Sequence, residues 1–213
     1  MSEQITKEQL FGGIAAPSEP HMACVLLLDI SSSMKGAPIQ SLNEAIAKFK
    51  QQVCQDPLAR KRVEVAIVTF ETHVEIVSDF MPIDQMPTIT LEPGGQTHMA
   101  EAIQVAIDLV KKRTREYQGV GVPCFKPWIF MITDGVSMST KEAMQEAAAR
   151  IHEEESKGSN GRLKFWALGV DDYDKDDPDT YFDNNKEVYL DVGFGAYGSG
   201  AVNAKTGVKI STS

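Results

Sequence analysis

The sequence predicts an α/β protein with a doubly wound, mainly parallel sheet that is flanked by helices. Two observations carry this prediction: short, almost continuously apolar segments recur along the chain, and segments with apolar residues at helical spacing separate them. An unbroken apolar segment is typical of a strand buried on both faces, and such strands belong to parallel sheets covered by helices. The length of 213 residues suits one ordinary domain or a domain with a small appendage.

The first half of the chain supplies a strand, a helix and a hairpin. Residues 22–29 form an apolar strand that ends in the carboxylate of Asp29, and a helix follows at Pro38, which suits a helical first turn. Residues 62–70 predict a second buried strand. Residues 73–80 alternate more strongly between apolar and polar residues, and they predict an edge strand that pairs with it.

The second half repeats the alternation of helices and strands. Residues 94–97, Gly-Gly-Gln-Thr, open a helix, and residues 127–133 form a short apolar strand. Ser139 or Thr140 is expected to cap the next helix, which runs to about residue 155. Residues 163–170 predict the last core strand.

We divide the chain into three parts. Residues 1–20, interrupted by glycine and proline, are an N-terminal arm, and residues 21–171 are the domain. Residues 172–213 are an atypical strand-rich C-terminal tail with an acidic loop and a glycine-rich stretch. Within it, residues 187–192 and 208–211 have the alternation of half-buried strands. We expect them to cover a sheet edge or an apolar surface of the domain.

Charge and cysteine content exclude several classes of function. The net charge of −9 disfavours nucleic acid and anionic membranes as partners, because both repel an acidic surface. The three cysteines, Cys24, Cys54 and Cys124, are far apart and form no CxxC motif, so we do not expect a zinc ribbon. We expect them to be reduced thiols. No signal peptide or membrane-spanning segment is visible, and the expected location is therefore cytoplasmic. The oligomeric state is left open.

Polar side chains gather where predicted strands end. Asp29, Ser31 and Ser33 follow the first strand, Thr97 precedes a helix, and Asp134 follows the strand at 127–133. Ligands of open α/β sheets bind at the carboxyl ends of strands. These side chains offer only hard oxygen ligands, so they predict a site for Mg²⁺, with Mn²⁺ and Ca²⁺ as alternatives, and not for zinc or copper.

These motifs resemble the metal-ion-dependent adhesion site of the von Willebrand factor type A (VWA) domain, over about residues 20–170. Within that family the chain is most similar to small bacterial cytoplasmic proteins of the tellurium-resistance type, in the segments LLLDISSSMKGAPIQSLNEAI, GGQTHMAEAI and FMITDG. The resemblance implies direct ligation of the metal by Ser31 and Ser33. It implies that Asp29, Thr97 and Asp134 bind directly or through water. No amphipathic segment of helical length follows residue 171, so we expect no counterpart there of the family's C-terminal helix.

The resemblance implies a Mg²⁺-dependent protein-binding module that captures an aspartate or glutamate side chain of a partner protein. The alternative is a Mg²⁺-dependent phosphoester hydrolase or phosphotransferase that uses the same ion as a Lewis acid. No motif places a general base beside the predicted ion, so we expect the protein not to be an enzyme. A scaffold whose site holds no metal in the cell is a third interpretation.

Overall fold

The computed structural model describes residue 14 and residues 17–134, 137–156 and 162–169. Its strands are β1 (Met22–Asp29), β2 (Val63–Phe70), β3 (Val74–Pro82), β4 (Trp128–Thr133) and β5 (Lys164–Gly169). They form one sheet in the order β3-β2-β1-β4-β5, in which β3 is antiparallel to β2 and the other neighbours are parallel. The predicted α/β class with a mainly parallel sheet is confirmed.

Helices cover both faces of this sheet. They are α1 (Ala37–Gln55), α2 (Pro57–Arg62), α3 (Met99–Gly119) and α4 (Lys141–Ser156), with short 3₁₀ turns at Ser32–Met34 and Ile83–Gln85. Helix α1 packs on the face that carries Leu26 and Ile67, whereas α3 and α4 pack on the face that carries Leu27 and Val68. Alternate residues of each strand therefore enter different cores, which explains the continuous apolar segments.

The hairpin of β2 and β3 forms where the sequence predicts it. Glu71 N–H donates to the His73 carbonyl across the turn, at 3.0 Å, and β3 is the sheet edge. The short helix α2 was not predicted. The Asp56 carboxylate caps it by accepting from Leu58 N–H at 2.8 Å and Ala59 N–H at 3.2 Å, and Pro57 occupies its first turn. Asp followed by Pro is a local helix-start signal that could have predicted this helix.

Part of the predicted N-terminal arm packs on the domain. Ile14 is buried in a small cluster with Ala23, Tyr117 and Val122. His21 N–H donates to the Pro123 carbonyl at 2.9 Å. The division of the chain into arm, domain and tail stays a prediction, and the predicted tail strands at 187–192 and 208–211 lie outside the described residues.

A buried charged cluster lies at the amino ends of the strands, and we call it the Glu64 cluster: Glu64, Arg113, Tyr117 and His21. Glu64 Oε2 accepts from Arg113 at 2.8 Å (Nε) and 2.6 Å (Nη2), and from the Tyr117 hydroxyl at 2.7 Å. The His21 ring stacks on Tyr117, with 5.5 Å between ring centres. Burial, followed by the Glu64 charge, raises the pKa of Tyr117, so the phenol stays a donor.

All three cysteines lie in the described residues. Cys24, Cys54 and Cys124 are free thiols, and burial raises the pKa of Cys24 to about 12, which keeps it protonated. Cys24 is fully buried, while the other two are half-buried.

None of the helices in the described ranges has both the length and the apolar character needed to cross a bilayer.

The strand order places a crevice between β1 and β4. The chain builds the sheet from β1 towards β2 and β3, and then returns to the other side of β1 to add β4 and β5. The loops that leave β1 and β4 consequently diverge to helices on opposite faces of the sheet. Such a reversal is where open α/β sheets bind their ligands, at the carboxyl ends of the strands.

Candidate metal centre

The carboxylate of Asp29 stands at the floor of this crevice. It is the last residue of β1 and is 0% exposed. Its Oδ1 accepts from Ser31 N–H at 2.9 Å, and its Oδ2 accepts from the hydroxyl of Thr133, the last residue of β4, at 2.6 Å. Two adjacent strands therefore fix the orientation of one carboxylate at the switch point.

Two serine hydroxyls lie beside one another in the loop after β1. Ser31 Oγ and Ser33 Oγ are 3.0 Å apart and share a hydrogen bond. Ser31 is buried and Ser33 is exposed, so the pair leads from the floor of the crevice to solvent. The side chain of Met34 is fully buried in the α1-side core and anchors the 3₁₀ turn that carries Ser33. This turn thus brings the two predicted hydroxyl ligands of the loop together.

The loop that carries Thr97 is tied to the serine loop by its backbone. Gly94 N–H donates to the Ile30 carbonyl at 2.7 Å. The Gly95 carbonyl accepts from Ser32 twice, from its N–H at 3.2 Å and from its hydroxyl at 2.8 Å. Thr97 itself is buried, just before α3. These bonds hold the second predicted ligand loop against the first.

The loop after β4 is joined to the Thr97 loop. Asp134 follows β4 directly and is 7% exposed. Met138 N–H donates to the Thr97 carbonyl at 2.9 Å, and the Ser139 hydroxyl accepts from Ala100 N–H at 3.1 Å. Ser139 and Thr140 were the two predicted caps of α4, and Thr140 is the one that caps it, since its hydroxyl accepts from Ala143 N–H at 3.2 Å. The Ser139 hydroxyl instead caps the first turn of α3.

The three loops thus form one hydrogen-bonded unit around the switch point, and each carries part of the predicted set. Asp29 contacts Ser31, and Ser31 contacts Ser33. The charge of Asp134 acts on Asp29. The assignment of the five residues as metal ligands stays a prediction.

Burial raises the pKa of Asp29 to about 6, and the nearby charge of Asp134 adds to this, although the hydrogen bonds from Ser31 and Thr133 oppose it. Within the described part of the chain, no lysine, arginine or histidine pairs with Asp29. Ionising a buried carboxylate beside a second one is costly, and a bound dication relieves both the burial and the repulsion.

The donor set fits a hard divalent cation. Two carboxylates and three hydroxyls offer oxygen alone, and two negative charges match the charge of one dication. The described ranges contain no group of three or more histidine, cysteine, aspartate or glutamate side chains that could hold a metal. A site built from imidazole or thiolate ligands is therefore absent from those ranges, and the hydroxyl-rich crevice remains the candidate.

Thr133 is a site residue that the sequence analysis did not identify. Its hydroxyl bonds Asp29 across 104 positions of sequence. The available signal is a polar residue at the end of an otherwise apolar strand, directly before Asp134. That signal does not identify Asp29 as the partner of Thr133, because β4 lies beside β1 only in the assembled sheet.

Gly95 is predicted to be required for this arrangement. Its φ is +68°, and a Cβ would lie 1.5 Å from Glu71 Oε2 and 2.6 Å from Thr72 Oγ1. Gly95→Ala should destabilise the fold by about 1–2 kcal/mol, because alanine disfavours this backbone conformation and must displace Glu71. Metal affinity should fall with it, since the Gly95 carbonyl holds Ser32.

Thermal unfolding and Mg²⁺ calorimetry measure both effects. Gly94→Ala is the matched control, because a Cβ there meets nothing within 4 Å. Equal behaviour of the two variants would contradict a role for the Gly95 conformation.

The family model described as von Willebrand factor type A domain matches residues 24–137. No curated protein sequence matches the chain.

Among solved structures, the SpRpn10 VWA domain is similar at 11% identity, with a TM-score of 0.50 over 77% of this chain and 81% of that one. Manganese-loaded TRAP of Plasmodium vivax is similar at 19% identity and a TM-score of 0.50, over 70% of this chain and 57% of that one. BatB from Bacteroides thetaiotaomicron has 18% identity and a TM-score of 0.44, over 70% and 66%. The chain thus spans less than two thirds of the length of the TRAP and BatB structures.

Proposed function

Because the chain belongs to the von Willebrand factor type A domain family, we propose that its switch-point crevice is a metal-ion-dependent adhesion site. Domains of this family often mediate protein–protein adhesion, often bind a divalent metal and are generally not enzymes. In this chain the metal is Mg²⁺, held by the residues predicted from the sequence: Asp29, Ser31, Ser33, Thr97 and Asp134. The partner is a protein that donates an aspartate or glutamate side chain to the ion.

The buried carboxylate of Asp29 is the observation that carries this proposal. It is oriented by two hydrogen bonds, repelled by Asp134 and unpaired with any cation of the described residues. A folded protein keeps such a charge when a ligand neutralises it or when function requires it. The adjacent hydroxyls of Ser31 and Ser33 extend the same set of oxygens towards solvent.

The ion also resolves an apparent conflict of charge. A chain with a net charge of −9 repels an acidic partner in general. A dication in the crevice cancels the charges of Asp29 and Asp134 and so removes the local repulsion, and the amino end of α3, at Met99, adds its dipole to the attraction. Mg²⁺ has six ligand positions and the protein offers at most five side chains, so a position is left at which a partner carboxylate completes its shell.

The finer assignments rest on the sequence resemblance. The segments at 26–46, 94–103 and 130–135 support placement among the small bacterial proteins of the tellurium-resistance type. We propose on the same basis that the protein acts in the cytoplasm, and on its net charge of −9 that neither nucleic acid nor membrane is its main partner.

Selection from a random peptide library tests the proposed function. In the presence of Mg²⁺, the immobilised full chain should enrich peptides that contain aspartate or glutamate. EDTA should release them, their Asn or Gln counterparts should not bind, and Asp134→Ala should enrich nothing. Asp84→Asn, at an acidic residue that pairs with Arg60 on the surface, is the matched control and should behave as the parent does.

An activity assay on the same purified protein distinguishes the adhesion proposal from the hydrolase alternative. We expect no turnover of nucleotides or simple phosphoesters above background, because no sequence motif places a general base beside the predicted ion. Mg²⁺-dependent turnover that disappears in Asp134→Ala would replace the adhesion proposal with the hydrolase alternative. Enrichment of peptides without any acidic residue would contradict capture of a carboxylate.

A further inference from the structure

A basic groove lies at the end of the domain opposite the predicted metal loops. It encloses about 770 Å³ between the C-terminal half of α3, the loop before β4 and Arg162. Helix α3 begins beside the Thr97 loop and is 21 residues long. At 1.5 Å per residue it spans roughly 30 Å, so the groove is remote from the proposed adhesion site.

The groove is strongly positive although the chain is acidic. Of the residues that line it, the cations are Lys111, Arg115, Lys126 and Arg162, and none is acidic. Beneath it the buried Glu154 accepts from Lys111 Nζ at 2.5 Å and lies 3.8 Å from Arg162 Nη1. Within the described ranges Arg115 and Lys126 have no ion-pair partner. One carboxylate therefore neutralises part of the charge of four cations, through contacts with only two of them.

An aromatic side chain completes the groove. Phe125 lines it and is 48% exposed. The backbone of this residue is fixed, since its N–H donates to the His21 carbonyl at 2.7 Å. Cations around an exposed aromatic ring suit an acidic peptide segment that also carries aromatic residues.

The chain contains one segment with this composition. Residues 171–183, DDYDKDDPDTYFD, hold seven aspartates and one lysine, a net charge of −6, together with Tyr173, Tyr181 and Phe182. We propose that this acidic segment docks in the basic groove of its own domain.

The chain has the length to reach the groove. The described residues end at Gly169, at the carboxyl end of β5, whereas Arg162 precedes the amino end of the same strand. Six residues of strand cover about 20 Å. Ten residues of extended chain after Gly169 cover up to about 35 Å, so the segment can return along β5 and enter the groove.

Zero-length carbodiimide cross-linking of the full chain, read by mass spectrometry, tests this docking. Lys126 and Lys111 should be joined to aspartates of 171–183. Lys112, the neighbouring residue on the outer side of α3, should be joined to Glu116, which lies 3.9 Å away. Mixing ¹⁵N-labelled and unlabelled chains distinguishes links within one chain from links between chains.

Substitutions that remove a positive charge should change the yield of these cross-links in a predictable way. Arg115→Gln should lower the yield of Lys126 links about two- to fivefold, because each exposed ion pair contributes little and the pairs act together. Lys112→Gln should leave that yield unchanged, and 0.5 M NaCl should reduce it further. Alkylation of Cys124, a half-buried thiol that lines the groove, should become faster in Arg115→Gln, whereas alkylation of Cys54 should not change.

Three results would overturn the proposal. They are the absence of links between the groove lysines and 171–183, links found only between labelled and unlabelled chains, and links insensitive to both Arg115→Gln and salt. None of these results bears on Mg²⁺ or peptide binding at Asp29, which the preceding experiment tests separately.

Discussion

Asp29→Asn is expected to remove Mg²⁺ binding and to make the metal-free protein more stable. Asparagine keeps the shape of the side chain, and its Oδ1 can still accept from Ser31 N–H, but it brings no charge to the ion. Loss of a carboxylate ligand should lower Mg²⁺ affinity on the order of 100-fold or more.

The gain in stability follows from the pKa of Asp29. Burial raises this pKa from 3.8 to about 6 in the folded protein without metal. The folded state therefore holds the proton more tightly than the unfolded state, and the free energy of unfolding falls as the pH rises from 3.8 to about 6. At pH 7 the ionised carboxylate costs roughly 3 kcal/mol, which asparagine removes.

Thermal unfolding in EDTA and in Mg²⁺, together with calorimetry, measures both effects. In EDTA at pH 7 the variant should melt above the parent, and the difference should shrink near pH 4. Mg²⁺ should raise the melting temperature of the parent and of the Asp84→Asn control, but not that of Asp29→Asn. Unchanged Mg²⁺ binding in the variant would remove Asp29 from the ligand set. A lower melting temperature in EDTA would show that its hydrogen bonds outweigh the cost of its burial.

Arg113→Met is expected to cause the largest loss of stability. It leaves the buried Glu64 carboxylate without the two Arg113 hydrogen bonds at 2.8 and 2.6 Å, although the Tyr117 hydroxyl remains. Breaking one side of a buried ion pair costs about 3–5 kcal/mol, because the remaining charge is desolvated. For a domain of this size, the melting temperature should fall by roughly 10 °C.

Two further variants separate charge from packing. Lys112→Met changes the exposed neighbour, whose pairing with Glu116 at 3.9 Å is weak, and should stay within about 0.5 kcal/mol of the parent. Adding Glu64→Gln to Arg113→Met removes the buried anion and should restore much of the loss, as measured by chemical unfolding. If the double variant is less stable than Arg113→Met alone, the loss comes from packing of Arg113 on Phe80 and Tyr117, at 5.9 and 5.1 Å, and not from the charge of Glu64.

The fold class, and the edge of the sheet that carries the proposed site, could be predicted from the sequence. The uniform burial of β2 and the stronger alternation of β3 are local properties, because a strand buried on both faces needs apolar residues at every position. Asp29 and Asp134 were predicted as ligands on a similar local signal, because each stands at the end of an apolar segment. The proximity of the Ser31 and Ser33 hydroxyls, 3.0 Å apart, is also local, since the 3₁₀ turn at Ser32–Met34 brings them together.

The tertiary structure alone decided which distant groups meet. Three hydrogen bonds illustrate this, and each joins residues at least 39 positions apart. They are the bonds from Thr133 to Asp29, from Ala100 N–H to Ser139 and from Arg113 to Glu64. Glu64 stands in a strand that the sequence marks as apolar, and only the packing of α3 supplies its cation. The spacing of apolar residues within a segment indicates which of its faces packs on the core. It carries no information about which polar group of a distant segment lies against that face.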